Sequence, residues 1–122
     1  MNSNIYNFSN TVWGFSSADK MKPLVYPGVL QNVYSIFDNG DIYSSLSDCY
    51  ISCAYRNGIP YVNLLNEDHV LCPHNIKDLV ACSFIENSKD YLERGYKVVN
   101  IDGDQKNYKV ENLMYIDPNK KY

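Results

Sequence analysis

The sequence predicts a small α+β domain, mostly antiparallel, with one short amphipathic helix. Three observations lead to this fold class: an alternating segment that turns back at an Asn-Gly pair, a helical apolar pattern over residues 76–84, and a strand–turn–strand pattern over residues 97–116. With 122 residues, the chain is long enough for one domain with a buried core and too short for two substantial domains.

Composition excludes several classes of protein. A hydrophobic content of 45% and a charged content of 20% are typical of a folded globular chain and not of a disordered one. No run approaches the roughly 18 apolar residues of a membrane span, so no membrane partner is expected. The first ten residues lack the basic and apolar regions of a signal peptide, which predicts four reduced cysteines in a cytosol.

The charge balance disfavours nucleic acid as a partner. The net charge is −3, and residues 1–85 hold four Lys or Arg side chains against seven carboxylates. Proteins that bind a phosphate backbone usually carry a basic excess, because neutralising phosphates supplies much of the affinity. The 12 tyrosines suit interfaces, although an AT-rich coding genome would give the same bias. The expected partner is another protein, with DNA as the disfavoured alternative and self-association left open.

Residues 1–21 are predicted to form an N-terminal arm, and residues 22–122 the single domain. The arm is rich in Ser and Asn and carries aromatic side chains that are costly to leave in water. We expect the arm to dock, and its own domain is favoured over another chain as the docking surface. The aromatic residues are Tyr6, Phe8, Trp13 and Phe15.

A β-hairpin opens the predicted domain. Residues 33–37 alternate as a strand, Asp38-Asn39-Gly40 forms the turn because Asn and Gly tolerate positive φ, and residues 41–44 return. Residues 49–54 and 61–65 read as two further strands around a turn at residues 56–60. A polar turn at residues 66–68 and a short strand at residues 70–72, ending before Pro73, complete this part.

The best helical pattern covers residues 76–84. Asn75 is a suitable N-cap, and Asp78 follows three residues later as in a capping box. Residues 86–95 are predicted to be a loop, with a turn of helix around Tyr91 as the alternative left open. The apolar face of the helix is predicted to contain Ile76, Leu79, Val80 and Phe84.

The last segment combines a strand from Lys97, an acidic turn at residues 101–104, a polar bend with Asn107 and Asn112, and a returning strand. Taken together and in this order, the blocks of the chain resemble the homing-type HNH endonucleases of phages and giant viruses. The blocks that carry the resemblance span about residues 22–116: Lys22-Pro23-Leu24, residues 34–42, Tyr61-Val62-Asn63-Leu64, residues 77–85, residues 99–107 and Asn112-Leu113-Met114-Tyr115.

The resemblance implies a β-hairpin module over residues 22–48 and an HNH core over residues 49–122. The resemblance also implies that this HNH core is degenerate. The family's general base is a histidine before Ile-Asp-Gly; here that position is Asn100, and an amide cannot accept the proton. Near the family's second histidine stands Lys77, and the hairpin arginine is replaced by Asp41. The family's closing helix is expected to be missing after Ile116, which leaves an incomplete ββα unit.

These departures predict a pseudo-nuclease with no catalytic residues and no cofactor. If nuclease activity is retained, Mg²⁺ is the expected cofactor, and the candidate ligands are Asp102, Asp104 and Asn112. The acidic turn alone is more simply a connection between two strands. Candidate contacts to a nucleic acid or another partner are Asn39, Asp41, Tyr43, Lys77, Lys106 and Lys109.

Two other constellations are weaker. A zinc site would need Cys49, Cys53, Cys72 and His74, with Cys82 as a spare, but two cysteines four residues apart on a strand are more than about 12 Å apart. Neither histidine, His69 or His74, lies in the register of the nuclease motif, so both are expected to be structural.

The sequence as a whole favours a non-enzymatic viral protein that binds another protein, as a virion component or an inhibitor of a host enzyme. The alternatives are a DNA-binding module and a metal-dependent DNA-nicking endonuclease.

Overall fold

The structure, a computed structural model, describes residues 20–120. Nine strands and two α-helices follow one another in these residues, with one turn of 3₁₀ helix at Val110–Asn112 just before the last strand. The elements are β1 (Met21–Pro23), β2 (Tyr34–Phe37), β3 (Ile42–Ser44), β4 (Cys49–Tyr50), β5 (Ala54–Arg56), β6 (Ile59–Leu65), β7 (Leu71–Asn75), α1 (Ile76–Phe84), α2 (Ser88–Glu93), β8 (Lys97–Asn100) and β9 (Leu113–Ile116).

The strands form three small antiparallel sheets. The first sheet has the order β1-β2-β3-β4, the second β5-β6-β7, and the third pairs β8 with β9. Helix α1 contacts strands of all three sheets, so the core lies around this helix. The predicted α+β class with mostly antiparallel strands is confirmed.

The predicted first hairpin is present, with Ile36 opposite Ile42. Its turn closes through a hydrogen bond from the Gly40 N–H to the Phe37 carbonyl at 2.9 Å. Gly40 has a φ of +93°, whereas Asn39 does not adopt positive φ. The Asn39 side chain instead accepts a hydrogen bond from the Asp41 N–H at 2.9 Å, so this asparagine stabilises the turn through its side chain.

The prediction of one strand over residues 49–54 is wrong. Strand β4 pairs with β3 in the first sheet, and β5 pairs with β6 in the second, so the chain crosses between sheets at residues 51–53. The turn after β5 is only Asn57-Gly58, both with positive φ, and β6 starts earlier than predicted. Pro60 fits in β6 because β6 pairs with β7 only from Tyr61 onward. At Pro60 no strand lies on the β7 side, so the missing N–H removes no ladder bond.

The predicted strand over residues 70–72 continues in fact through Pro73 as β7. A proline is tolerated there because β7 is the edge of its sheet. Helix α1 has the predicted bounds, and the Oδ1 of its N-cap Asn75 accepts a hydrogen bond from the Lys77 N–H at 3.2 Å. The inner face of α1 includes Ala81, which is fully buried, whereas Phe84 of the predicted apolar face is only half-buried.

The structure has a second helix, α2, which occupies part of the predicted loop at the place where a turn of helix around Tyr91 was the alternative. Its buried Ser88 hydroxyl donates a hydrogen bond to the Ala81 carbonyl of α1 at 2.9 Å, which joins the two helices. The preceding Asn87 has a φ of +65°, and this reversal explains why helical periodicity does not run through from α1. No helix among residues 20–120 is long and apolar enough to cross a membrane.

The core joins the hairpin module to the rest of the domain. The buried Tyr34 of β2 accepts a hydrogen bond on its hydroxyl from the Leu65 N–H of β6 at 2.9 Å. After β9 the described chain makes a turn, in which the Lys120 N–H donates to the Asp117 carbonyl. Most of the predicted arm lies outside the described residues; of it, Met21 pairs with Phe37 in the first sheet. The buried apolar residues are Leu24, Val29, Tyr34, Ile36, Ile42, Val62, Leu64, Ile76, Leu79, Val80, Ala81, Val98 and Leu113.

Candidate functional site

The candidate site is the loop that joins β8 to β9. The two strands end with Asn100 opposite Leu113, and the ladder extends into the loop through a hydrogen bond from the Ile101 N–H to the Asn112 carbonyl at 2.7 Å. The chain then reverses at Gly103, whose φ is +79° and whose N–H donates to the Asn100 carbonyl at 2.9 Å. The predicted strand, acidic turn and returning strand are confirmed.

The carboxylate of Asp102 holds this loop together. One oxygen accepts hydrogen bonds from the Asp104 N–H at 2.8 Å and from the Asn112 amide at 2.9 Å. The other oxygen accepts from the Asn107 amide at 2.8 Å. The Asp102 N–H in turn donates to the Asn112 Oδ1 at 3.2 Å. Three donors of the loop are thus fixed around one exposed carboxylate.

These hydrogen bonds lower the pKa of Asp102. The largest effect comes from the Asn107 amide, followed by the Asp104 N–H and the Asn112 amide, because each stabilises the ionised carboxylate. A small loss of solvation opposes this shift, and the hydrogen bonds outweigh it. Asp102 is therefore a permanently ionised, structural carboxylate at neutral pH.

Asn100, at the position of the expected general base, is buried at the end of β8, with 8% of its surface exposed. Its amide donates a hydrogen bond to the Asn107 carbonyl at 3.0 Å, and the Asn112 amide donates to the same carbonyl at 2.8 Å. The Asn100 Oδ1 is buried and accepts no hydrogen bond from the residues that the structure describes. A carboxamide does not titrate near neutral pH, so Asn100 holds the loop and cannot take a proton from water.

The three candidate metal ligands lie together, and hydrogen bonds within the loop already use acceptor positions on each of them. Both Asp102 oxygens accept internal hydrogen bonds, one Asp104 oxygen accepts from the Lys106 N–H at 3.0 Å, and the Asn112 Oδ1 accepts from a backbone amide. Within residues 20–120, no group of three or more His, Cys, Asp or Glu side chains is arranged to hold a metal ion. A divalent cation would compete with the hydrogen bonds that shape the loop.

The loop packs against three other parts of the domain. The Tyr108 ring lies directly over Gly40 at the hairpin tip, so close that a Cβ built on this glycine would be 2.2 Å from the ring. The Lys106 ammonium lies 5.7 Å from the centre of the Tyr55 ring on β5. Lys77, at the start of α1, donates to the Gln105 side chain at 3.2 Å.

The structure therefore brings together some of the predicted contact residues and separates others. Lys77 and Lys106 flank the loop, and the hairpin tip with Asp41 lies beside Tyr108. Asn39 and Asp41 are joined by a side-chain hydrogen bond at 3.3 Å. Tyr43 lies instead on the outer face of the first sheet, where its hydroxyl donates to Asp48, a contact that raises its pKa. Lys109 is exposed beside the 3₁₀ turn.

Tyr108 is the site residue that sequence reasoning missed. Burial raises the pKa of its hydroxyl, and the nearby Cys53, Tyr55 and Asp41 add to this effect. It joins the hairpin module to the loop over a long sequence separation. The only local indication was Gly40, a glycine at a turn where close approach of another group is permitted.

A second polar cleft lies at the other side of α1. It is an open space of about 310 Å³ between α1, α2 and β8, and its walls include Tyr26, Lys77 and Asp78. Burial raises the pKa of Asp78, and the adjacent Lys77 opposes that shift. The Asp78 side chain thus lines this cleft beside Lys77.

The cysteines and histidines are dispersed. Cys49 and Cys53 are exposed on either side of the crossing between the two sheets, and Cys72 and Cys82 are half-buried. His69 lies in the turn before β7 with a φ of +62°. His74 packs edge-to-face on the Tyr26 ring with centroids 5.4 Å apart, and burial lowers its pKa. No zinc site is formed by these residues in the part of the chain that the structure describes.

Comparison with known proteins identifies the fold. No protein-family model matches the chain, and no curated protein does. A solved structure that concerns DNA binding and cleavage by the HNH homing endonuclease I-HmuI superposes with a TM-score of 0.66 and 22% identity. The match covers 80% of this chain and 52% of that one, so the chain spans about half the length of I-HmuI. The likeness to an HNH endonuclease is confirmed at the level of the fold.

Proposed function

We propose that this protein is a non-catalytic binding protein that uses an HNH-like scaffold, and that its partner is another protein. The observation that carries the proposal is Asn100. At the position expected for the general base, the side chain is a buried amide that donates to the Asn107 carbonyl. The carboxylate two residues later is equally committed to hydrogen bonds within the loop. The loop is therefore organised as a rigid support and lacks a group that could activate water.

The charges around the loop favour a protein partner over a phosphate backbone. Asp102 and Asp104 are exposed in the loop, and Asp41 is exposed at the neighbouring hairpin tip. These three carboxylates offset the charges of Lys77, Lys106 and Lys109 on or beside the same loop, so this surface has no basic excess, and the net charge of −3 adds none. The proposed setting is viral, either a virion or the cytoplasm of an infected host, and rests on the resemblance to homing endonucleases of viruses.

The first test is a pull-down of the tagged full chain from host or infected-cell lysate, with and without nuclease treatment. The proposal predicts a stoichiometric protein partner that survives the nuclease. An Asp41→Lys/Asp104→Lys variant should lose that partner, whereas Asp68→Lys, an exposed acidic residue in a different turn, should retain it. Recovery that vanishes with nuclease treatment would contradict a protein partner.

A DNA-binding module is the second candidate, and a specific observation favours it. Lys106 lies over the Tyr55 ring, and the Arg56 guanidinium lies 5.0 Å from the centre of the Tyr61 ring. Cations held on aromatic rings beside a loop are a feature of surfaces that bind nucleic acid. If this reading holds, duplex DNA binds with an affinity that falls steeply with salt, and Lys106→Gln reduces the salt slope by about 1. Lys89→Gln, on the distant helix α2, is the matched control.

Retained nuclease activity is the remaining alternative, and a nicking assay separates it from both binding functions. The proposal predicts no relaxation of supercoiled plasmid by the wild-type chain with either Mg²⁺ or Mn²⁺. Metal-dependent nicking that disappears in Asp102→Ala but persists in Asp68→Ala would overturn the non-catalytic assignment. The same nicking assay on the Asn100→His variant tests whether an imidazole at this position is sufficient to supply a base.

A further inference from the structure

The outer face of the first sheet carries a row of apolar side chains that crosses all four strands. Met21 on β1 is the register partner of Phe37 on β2, and Tyr43 on β3 is the partner of Tyr50 on β4. Opposite residues of an antiparallel pair project from the same face of the sheet. The rings are in contact, with the Phe37 and Tyr50 centroids 6.1 Å apart and the Tyr43 and Tyr50 centroids 5.3 Å apart.

This face is not covered by any residue in the described part of the chain. Met21 and Tyr50 are both 58% exposed, on the two edge strands of the sheet, whereas the opposite face of the central strands β2 and β3 is buried in the core. A contiguous apolar row is costly to leave in water, and it marks a surface on which another segment packs. The row contains no charged side chain, so its occupant should be apolar and uncharged.

The N-terminal segment of this chain matches that description. Residues 1–19 contain one charged side chain, Asp19, and they carry Trp13 and Phe15 close to the first strand. Lys20 and Met21, which follow this segment in the chain, lie at the edge of the sheet: the Asp38 N–H bonds to the Lys20 carbonyl, and Met21 pairs with β2. The segment is therefore attached to the domain beside Met21, at the end of the apolar row.

The distances permit this segment to cover the row. The sheet is three strand spacings wide, about 14 Å. Five extended residues, the separation of Phe15 from Lys20, span about 17 Å. We propose that Trp13 and Phe15 pack in the same molecule on the face formed by Met21, Phe37, Tyr43 and Tyr50. This proposal stands independently of the proposed binding function.

Tryptophan fluorescence measures the environment of Trp13, because it is the one tryptophan of the chain. The experiment measures the emission wavelength of the full-length protein and the quenching of its tryptophan by acrylamide, over a range of protein concentrations. The proposal predicts a blue-shifted, protected tryptophan in the folded protein at every concentration. A Met21→Ser/Tyr50→Ser variant should shift the emission to the red and raise quenching toward the value of the urea-unfolded chain.

The matched control is Leu71→Ser/Tyr55→Ser. It removes an equally exposed tyrosine, 59% against 58%, and an exposed apolar residue from the second sheet. Far-UV circular dichroism verifies that both variants fold. A tryptophan that is fully quenched in the wild-type protein, or one that is protected equally in both variants, would overturn the proposal. Protection that appears only at high protein concentration would also overturn it and would place a second copy on the face.

Discussion

Replacing Gly40 with alanine tests whether the hairpin tip and the loop are packed as one unit. Gly40 has a φ of +93°, which costs an alanine about 1–2 kcal/mol. The added Cβ would also lie 2.2 and 2.5 Å from two carbons of the Tyr108 ring and 3.2 Å from Ile76. Overpacking of this kind costs about 1–3 kcal/mol, so we expect a total loss of about 2–5 kcal/mol. That is a large part of the roughly 5–15 kcal/mol that stabilises a domain.

The assay is urea unfolding followed by circular dichroism, with Gly58→Ala as the control. Gly58 has a similar φ of +78°, but nothing lies within 4 Å of a Cβ built there. Gly58→Ala should therefore cost only the backbone strain, about 1–2 kcal/mol. In a Tyr108→Ala background, most of the extra cost of Gly40→Ala over Gly58→Ala should disappear, because only the Ile76 methyl group at 3.2 Å then remains close to the new Cβ. Equal losses for the two glycine variants in the wild-type background would refute the packing argument.

Three further predictions concern groups whose contacts are described above. Asn75→Ala should lower the free energy of unfolding by about 1 kcal/mol in urea titrations, because α1 loses its N-cap. The Asn107 hydrogen bond lowers the pKa of Asp102 in the folded state. The ionised carboxylate therefore stabilises the fold above the pKa of the unfolded state, and this stabilisation is lost as pH falls through the pKa of the folded state. Asp102→Asn should accordingly reduce the loss of stability below about pH 4. A steep acid loss that persists in Asp102→Asn would contradict this. Burial lowers the pKa of His74, so the wild-type protein should lose stability as pH falls below about 6.5, and His74→Gln should reduce that loss. An NMR titration should place the His74 midpoint below 6.5.

The elements that were predicted correctly are those with a complete local pattern. Helix α1 has an N-cap and a full apolar face, and the structure gives it the predicted bounds at both ends. The first hairpin has alternation and an Asn-Gly turn. The loop from β8 to β9 was placed through its resemblance to a nuclease motif, which also located Asn100 and the asparagines that hold the loop.

The errors occur where tertiary structure decides between similar local patterns. Residues 49–56 form one β-prone run, but its two halves pair with different sheets, and nothing in the run itself indicates the crossing. Pro60 and Pro73 suggested strand ends, yet each lies where its missing N–H removes no ladder bond. The contact between Tyr108 and Gly40 joins positions far apart in sequence, so the local pattern offered only the glycine and gave no indication of its partner.

Helix α1 packs on all three sheets, and this shared position has a consequence for folding. Sheets of two to four short strands are marginal by themselves, so each depends on the same nine-residue helix for its buried side. The domain should therefore open as one cooperative unit, with the slowest backbone hydrogen exchange at Leu79 and Val80, the fully buried centre of α1. A hairpin segment and a core segment that are expressed separately should each stay unfolded. Mixing the two should restore structure only if one of them contains the whole of helix α1.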